Sequence, residues 1–333
     1  MIESTLESKT LDATQKGLRA RFFKLMSEYR VITIVVIIFL YILIFGIAFS
    51  DYYITYANLS AILLNMSIEV IIVIAMSILL ISGEFDLSLG ATMSLSGVLC
   101  GYMIKLGLNV VLAILITLAV CIINGLINGT IIAKIGVNSF MATLATGMVY
   151  RGIAIIFACA GITGLPENFT VIGQKVLFGL QLPVWFSFII IGIFIYLVSR
   201  TRIFRQYYYI GGNLKAAQLS GINVSKMKII AFIIAALLAG YAGIMSAARL
   251  GNAMHETGSA IIFKAFAAAV IGGVSIKGGV GSVGGAVLGA LFVALLNNGL
   301  IVANVNAYWQ PIVFGAVLVA AVALDIFLTR RRI

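Results

Sequence analysis

The stretch VITIVVIIFLYILIFGIAF, residues 31–49, is apolar on every helical face and contains no charged residue. A helix of about 20 such residues spans the hydrocarbon core of a bilayer. Comparable runs recur as far as Leu328, and 62% of the 333 residues are hydrophobic while only 10% are charged. A soluble domain has about a quarter charged residues. The sequence therefore predicts an all-α, polytopic membrane protein, since a β-barrel would need shorter segments that alternate polar and apolar residues.

Ten transmembrane helices are predicted, at residues 31–49, 59–82, 89–104, 108–133, 137–160, 182–198, 229–249, 260–275, 283–303 and 307–328. Residues 1–30 then form an N-terminal tail, residues 31–328 a transmembrane domain, and residues 329–333 a basic C-terminal tail. The net charge of +11 is spread over short flanks of the apolar runs, which argues against a nucleic-acid surface. Basic flanks mark the cytoplasmic side, so both termini and the loop at 199–228 are predicted to be cytoplasmic.

Two segments suggest an internal repeat. IINGLINGTIIAKIGVNSF (122–140) and LNNGLIVANVNAYW (296–309) share an Asn-Gly-Leu core followed by a later Val-Asn. Five predicted crossings separate them, and this odd offset would place the copies in opposite orientations, as in transporters built from inverted repeats. A 5+5 inverted repeat is therefore one interpretation, and a chance match in a biased composition is the other.

The loop at 199–228 contains the polar stretch GGNLKAAQLSGINVSK, residues 211–226. Ala216, Ala217 and Leu219 favour a helix, Gly211 and Gly212 are expected to break it before, and the glycine at 221 to end it. We expect a short helix lying along the membrane surface. Such a helix either rests on anionic lipid headgroups or docks in a groove of a soluble partner.

Charged residues interrupt the apolar crossings at a few points. Glu69 and Arg151 are predicted to lie at similar depth, about 15 Å from the outer surface at ~1.5 Å per residue. A lone charge at this depth is costly, so the two are predicted to face the interior, as a structural ion pair or along the transport path. Glu84 and Asp86 require an aqueous turn or a break beside a cavity, and Asp86 is also a candidate N-cap of the third crossing.

The remaining polar residues give no sign of a cofactor or an enzyme. The three cysteines have no metal-ligand spacing, and the glycine-rich stretch 269–290 lacks the nucleotide-binding sequence GxxxxGK[ST]. No cluster of His, Asp and Glu or nucleophile motif occurs in the crossings, so an enzyme is not expected. The single histidine, His255, lies in a polar outer loop and is expected to be solvated.

Four segments occur in an order that identifies a resemblance: SGEFDLSLG, INGLINGTIIAKIGVNSFMATLATGMVYRG, RTRIFRQYYYIGGNLKAAQLSGINVSKMK, and AVIGGVSIKGGVGSVGGAVLGALFVALLNNGL with AYWQ. Together they resemble the permease subunit of bacterial ABC importers for monosaccharides, of the ribose, galactose, xylose and arabinose type. The resemblance implies a multi-pass protein of the bacterial plasma (inner) membrane that binds no cofactor itself. It implies three partners: ATPase subunits that bind ATP, an extracytoplasmic sugar-binding protein, and a second permease, identical or related.

The resemblance also implies site residues. The coupling helix, which inserts into an ATPase groove, would comprise Gly211, Gly212, Asn213, Ala216, Ala217, Leu219, Ser220, Gly221 and Ile222. Because sugars offer hydroxyl groups, amide and aromatic side chains are the predicted lining of the substrate path; these are Asn65, Asn124, Asn128, Asn297, Asn298, Trp309 and Gln310. The alternative function is a secondary transporter driven by an ion gradient, with Glu69 as the coupling carboxylate.

Overall fold

The computed structural model describes residues 30–330, and the two predicted tails therefore lie largely outside the described residues. This range folds almost entirely into helices. In chain order they are α1 (Arg30–Ala48), α2 (Tyr56–Ile81), α3 (Leu89–Lys105), α4 (Val110–Thr130), α5 (Ser139–Ala158), α6 (Glu167–Gln174), α7 (Leu182–Arg200), α8 (Arg202–Gly212), α9 (Leu214–Leu219), α10 (Val224–Leu250), α11 (Ile261–Ile271), α12 (Val283–Val302) and α13 (Gln310–Arg330).

Shorter elements complete the chain. A π-helical turn at Ile131–Ile135 extends α4, and a 3-10 turn at Ala307–Trp309 precedes α13. Strand β1 (Ile162–Thr163) pairs antiparallel with β4 (Asn252–Ala253), and β2 (Val176–Leu177) pairs antiparallel with β3 (Leu180–Gln181). These two-residue pairs tie loops together and form no larger sheet.

Each of the ten predicted crossings overlaps one helix, which confirms the all-α membrane class. Within the described range, seven helices are long and apolar enough to cross a membrane: α1, α2, α4 with its π-turn, α5, α7, α10 and α12. The segments at 261–271 and 307–323 are shorter apolar helices, and α3 has 17 residues. The exact number of crossings therefore rests on these three.

Helix α2 lies at the centre of the bundle. Most of its residues from Met66 to Ile81 are buried, and it packs against α7, α10, α11 and α12. Helix α10 is the second hub, and it packs on α2, α3 and α4. Glycines allow these helices to approach closely: a methyl group added at Gly243 of α10 would overlap the Met93 carbonyl of α3. Small residues permit this backbone contact where the bilayer supplies little hydrophobic force between helices.

The loop at 199–228 contains two helices, α8 and α9. The prediction that Gly211 and Gly212 break the helix is wrong, because both belong to the last turn of α8. The break lies at Asn213, which adopts an extended backbone and accepts the Ala216 N–H through its side chain at 3.0 Å. A side-chain acceptor of this kind starts a helix more effectively than glycine. The predicted stop at Gly221 is confirmed by its φ of +81°.

The eighth predicted crossing, 260–275, contains only the 11-residue helix α11. Before it, residues 254–260 run inward from β4 until Gly258 contacts the backbone of Gly90 on α3 and donates its N–H to Ser94 Oγ at 2.9 Å. After it, Gly273, at φ +90°, turns the chain into a loop. Irregular backbone at membrane depth is tolerated where protein covers it or where it borders a cavity. Helix α11 thus begins inside the bundle.

Candidate functional site

A groove lies between α8 and α9 in the 199–228 loop. Its volume is about 630 Å³. Six of the nine predicted coupling residues line it, together with Arg202, Arg205 and three neighbouring side chains of α8. The six are Gly212, Asn213, Ala216, Ala217, Ser220 and Ile222. A seventh, Leu219, ends α9 with 90% of its surface exposed.

The groove is fixed to the membrane helices on its inner side. Ala217 is 3% exposed and packs in the main core. The Tyr208 hydroxyl donates to the Gly281 carbonyl at 2.9 Å, and Gly279 N–H donates to the Ile81 carbonyl, also at 2.9 Å. Gly211 lies so close to Ile81 and Gly279 that a methyl group there would overlap both. The α8–α9 pair therefore joins the C-terminal end of α2 to the glycine-rich loop at 272–282.

The expected ion pair between Glu69 and Arg151 does not form. The Glu69 carboxylate lies 3.6 Å from Lys264 Nζ on α11. Arg151 lies on α5, which packs mainly on α3, whereas Glu69 lies on α2, which packs on α11. Equal depth along two helices does not fix which way each side chain faces or which helices are neighbours. Lys264 was the residue that the sequence analysis missed.

Two further groups join this pair into an interior ion cluster, defined by Asn65, Glu69, Arg249 and Lys264. Arg249 Nη2 donates to Asn65 Oδ1 at 2.8 Å, and the guanidinium is close enough to attract the Glu69 carboxylate. Lys264 Nζ also lies 4.6 Å from the centroid of the Phe314 ring. The cluster thus links α2, α10, α11 and α13 around one anion and two cations, and it leaves Glu69 and Lys264 about one fifth exposed.

Asp86 lies in a second polar cluster, before α3. Its Oδ1 accepts the Ser88 N–H at 2.7 Å and the Ser88 hydroxyl at 2.6 Å, and Asn128 Nδ2 donates to Ser88 Oγ at 2.8 Å. The N-cap position of α3 is Ser88, not Asp86 as predicted, because the carboxylate folds over the turn instead. Burial raises the Asp86 pKa to about 6. Glu84 pairs with Lys228 at the start of α10, so neither acid lies in an aqueous turn.

The structure spreads the predicted path residues over several helices. Asn128 bonds Ser88, and Asn298 of α12 forms a reciprocal amide pair with Asn58 of α2. By contrast, Asn124 Nδ2 and Asn297 Oδ1 are buried and have no hydrogen-bond partner among the described residues. Trp309 is 59% exposed beside Gln310 at the start of α13. The assignment of these seven residues to a substrate path stays a prediction.

Comparison with known proteins identifies the class. Residues 58–322 match the family described as the branched-chain amino acid transport system / permease component. The chain belongs to this permease family. The match covers every described helix from α2 to α12 and most of α13, and it confirms the resemblance to transport permeases.

Curated relatives of this permease carry names of several importers. It is 34% identical to the ribose import permease protein of Haemophilus influenzae over 281 residues, which cover 83% of this chain and 87% of the relative. It is 35% identical to the D-allose transport system permease protein of Escherichia coli K12 over 284 residues, or 85% and 87% of the two chains. The autoinducer 2 import system permease protein of Salmonella typhimurium is 30% identical over 283 residues, or 85% and 82%. No solved structure matches the permease.

Proposed function

We propose that this permease is the membrane-spanning subunit of an ATP-binding-cassette importer for a monosaccharide or a similar small polyol, and that it is not itself an enzyme. The observation that carries the proposal is the exposed α8–α9 module on a chain whose curated relatives are named as ribose, D-allose and autoinducer 2 permeases. ATP binds to partner ATPase subunits, an extracytoplasmic binding protein delivers the sugar, and a second permease, identical or related, completes the path.

The proposed coupling is mechanical. Leu219 and the adjoining groove dock on the ATPase, since an exposed apolar side chain on a short helix can enter an apolar groove of a partner. Movement of α9 is then transmitted through Gly211, which contacts the end of α2 and the 272–282 loop. Because α2 packs against four other helices, a displacement at its inner end reaches much of the bundle. The ATPase therefore acts on the central helix.

The proposed topology has ten crossings of a bacterial plasma (inner) membrane, with both termini and the 199–228 loop on the cytoplasmic side.

Helix packing supports a 5+5 inverted repeat, in which α1–α5 correspond, in order, to α7 and α10–α13. Under that correspondence, three packed helix pairs have counterparts in the other half. The α2–α12 pair corresponds to α10–α4, and the α3–α5 pair corresponds to α11–α13. The α2–α11 pair corresponds to α10–α3. All six pairs are extensive contacts. A chance similarity of short motifs would give no reason for matched packing.

The ion-gradient alternative has weaker support. Its coupling carboxylate, Glu69, is paired with Lys264 and lies near Arg249. A carboxylate held in an ion pair is less available to bind and release a coupling ion than one that faces a transport path alone. Every curated relative described above is named as a permease of an import or transport system.

The test is uptake by vesicles that contain the complete importer, with Leu219→Asp compared with Leu106→Asp. Both leucines are exposed, at 90% and 70%, but Leu106 lies in the loop between α3 and α4, at the other end of the bundle. Losing an anchor residue at an interface costs roughly 2 kcal/mol or more. We expect Leu219→Asp to reduce ATP-dependent uptake and co-purification of the ATPase at least tenfold, while Leu106→Asp retains both. Normal ATP-driven uptake by Leu219→Asp, or uptake that needs an ion gradient and no ATPase, would contradict the proposal.

A further inference from the structure

A separate cavity of about 240 Å³ lies between α3, α5 and the irregular segment that leads into α11. At ~30 Å³ per water molecule this is the room of about eight waters, which is the scale of a single monosaccharide. Its polar wall consists of Ser94, Arg151, His255 and Ser259, and its apolar wall includes Phe263. No carboxylate lines it, so the charge it presents is positive.

Arg151 supplies that charge. It is the thirteenth of the 20 residues of α5, well inside a helix that is long and apolar enough to cross a membrane. The side chain is exposed, and within residues 30–330 no hydrogen bond or ion pair holds it. An unpaired guanidinium cannot face lipid without a large cost, so such residues line wet cavities or substrate pathways. Arg151 therefore requires an oxygen-rich environment that the described chain does not supply.

His255 has a similar unmet requirement. The sequence predicted a solvated ring, but its side chain is only 26% exposed, and Nδ1 is buried without a hydrogen-bond partner among the described residues. The other nitrogen, Nε2, lies 3.8 Å from Glu256, whose side chain is 74% exposed. A buried nitrogen without a partner can be satisfied by a ligand. Nearby, Ser94 Oγ accepts the Gly258 N–H and retains its own hydroxyl hydrogen to donate.

We propose that this cavity is a station for one monosaccharide on the transport path, bound by Arg151 and His255 through its acceptor oxygens. The inference rests on the proposed function and adds the place and chemistry of the ligand. The planar guanidinium has two N–H groups that can donate in parallel, either to two neighbouring hydroxyls or to the carboxylate of a sugar acid. Phe263 offers the apolar surface on which the C–H face of a sugar ring packs.

Thiol protection tests the station without relying on transport. The purified permease in lipid nanodiscs would carry Ser259→Cys together with Cys159→Ser, because Cys159 is exposed while Cys100 and Cys121 are buried. Labelling by a small hydrophilic thiol reagent is followed with D-ribose, D-allose or D-gluconate present. A probe at ten times its Kd leaves about a tenth of the sites open, so labelling slows about tenfold. The matched control is Ser199→Cys on α7, an exposed serine outside the cavity, which should label at one rate throughout.

Replacing Arg151 by methionine should abolish the protection without changing the melting temperature, and His255→Gln should weaken it. Protection by D-ribose or D-allose identifies a neutral ligand, and protection by D-gluconate alone identifies an acidic one. If none of the three probes slows labelling, or if protection survives Arg151→Met, the cavity is not a binding site for the sugar. ATP-driven uptake that depends on Leu219 would then still stand. Protection of Ser259→Cys together with uptake that does not require the ATPase would instead support the binding site and refute the proposed function.

Discussion

Lys264 of α11 places its ammonium 3.6 Å from the carboxylate of Glu69 on α2, the most buried long helix of the bundle. The pair joins the short helix α11 to the central helix. Because Lys264 also faces the Phe314 ring of α13, one cation contacts two helices at once. The short helix α11, which has few residues of its own to hold it at depth, is thereby attached on two sides.

The first prediction concerns this pair. Glu69 and Lys264 are each about one fifth exposed, so removing one partner leaves the other charge only partly solvated and costs up to about 3 kcal/mol. We expect Glu69→Gln and Lys264→Met each to lower the thermal midpoint of the purified permease, and the double variant to recover much of the loss. Glu167→Gln, on an exposed acid at the start of α6, is the matched control and should change stability by less than ~1 kcal/mol. Additive losses in the double variant would show that the two charges do not interact.

The second prediction concerns two adjacent glycines at the end of α8. A methyl group at Gly211 would overlap the Ile81 carbonyl and the Gly279 nitrogen, whereas a methyl group at Gly212 would meet nothing within 4 Å. Overpacking of this kind costs typically 1–3 kcal/mol. Gly211→Ala should therefore reduce the yield of folded permease and its thermal midpoint, and Gly212→Ala should not. If both variants have the same yield and thermal midpoint as the unmodified permease, Gly211 of α8 does not pack tightly against α2.

The third prediction concerns pH. The Asp86 pKa is raised from its ordinary 3.8 to about 6 because burial disfavours the carboxylate. The folded state therefore holds the proton more tightly than the unfolded state. Its contribution to the free energy of unfolding is fully present below pH 3.8 and is lost as the pH rises through about 6. At ~1.4 kcal/mol per pKa unit, the loss is roughly 3 kcal/mol.

Asp86→Asn should flatten this dependence, since the amide oxygen still accepts from Ser88 and carries no charge. The thermal midpoint of the variant should exceed that of the unmodified permease above about pH 6 and approach it near pH 4. Asp51→Asn, at an exposed acid in the loop between α1 and α2, is the matched control. A pH profile of Asp86→Asn parallel to that of the unmodified chain would assign the dependence to other groups.

Hydropathy was enough to place the membrane helices, because a helix in lipid must satisfy its backbone hydrogen bonds within itself. This requirement depends only on the local sequence. The helix at Ala216–Leu219 and its stop at Gly221 followed from local propensity in the same way. The partner of Glu69 could not be predicted from local sequence, because the choice between Arg151 and Lys264 depends on which helices are neighbours. The half-length of α11 was also hidden, because Gly258 against Gly90 is a contact between distant segments.

The fourth prediction separates structural from functional amides on neighbouring positions of α12. Asn298 exchanges two hydrogen bonds with Asn58 of α2, at 3.1 and 2.6 Å, whereas the adjacent Asn297 has a buried Oδ1 without a partner among the described residues. Interhelical hydrogen bonds in membranes are worth about 0.6 kcal/mol on average and up to ~1.7. Asn298→Ala should therefore lower the thermal midpoint, and Asn58→Ala should add nothing to it in the double variant. If Asn297 lines the substrate path, as predicted, Asn297→Ala should leave the midpoint almost unchanged and raise the KM for uptake, because its buried Oδ1 is available to accept from a sugar hydroxyl. A lower thermal midpoint for Asn297→Ala with unaltered uptake would show that Asn297 has a structural role and does not line the substrate path.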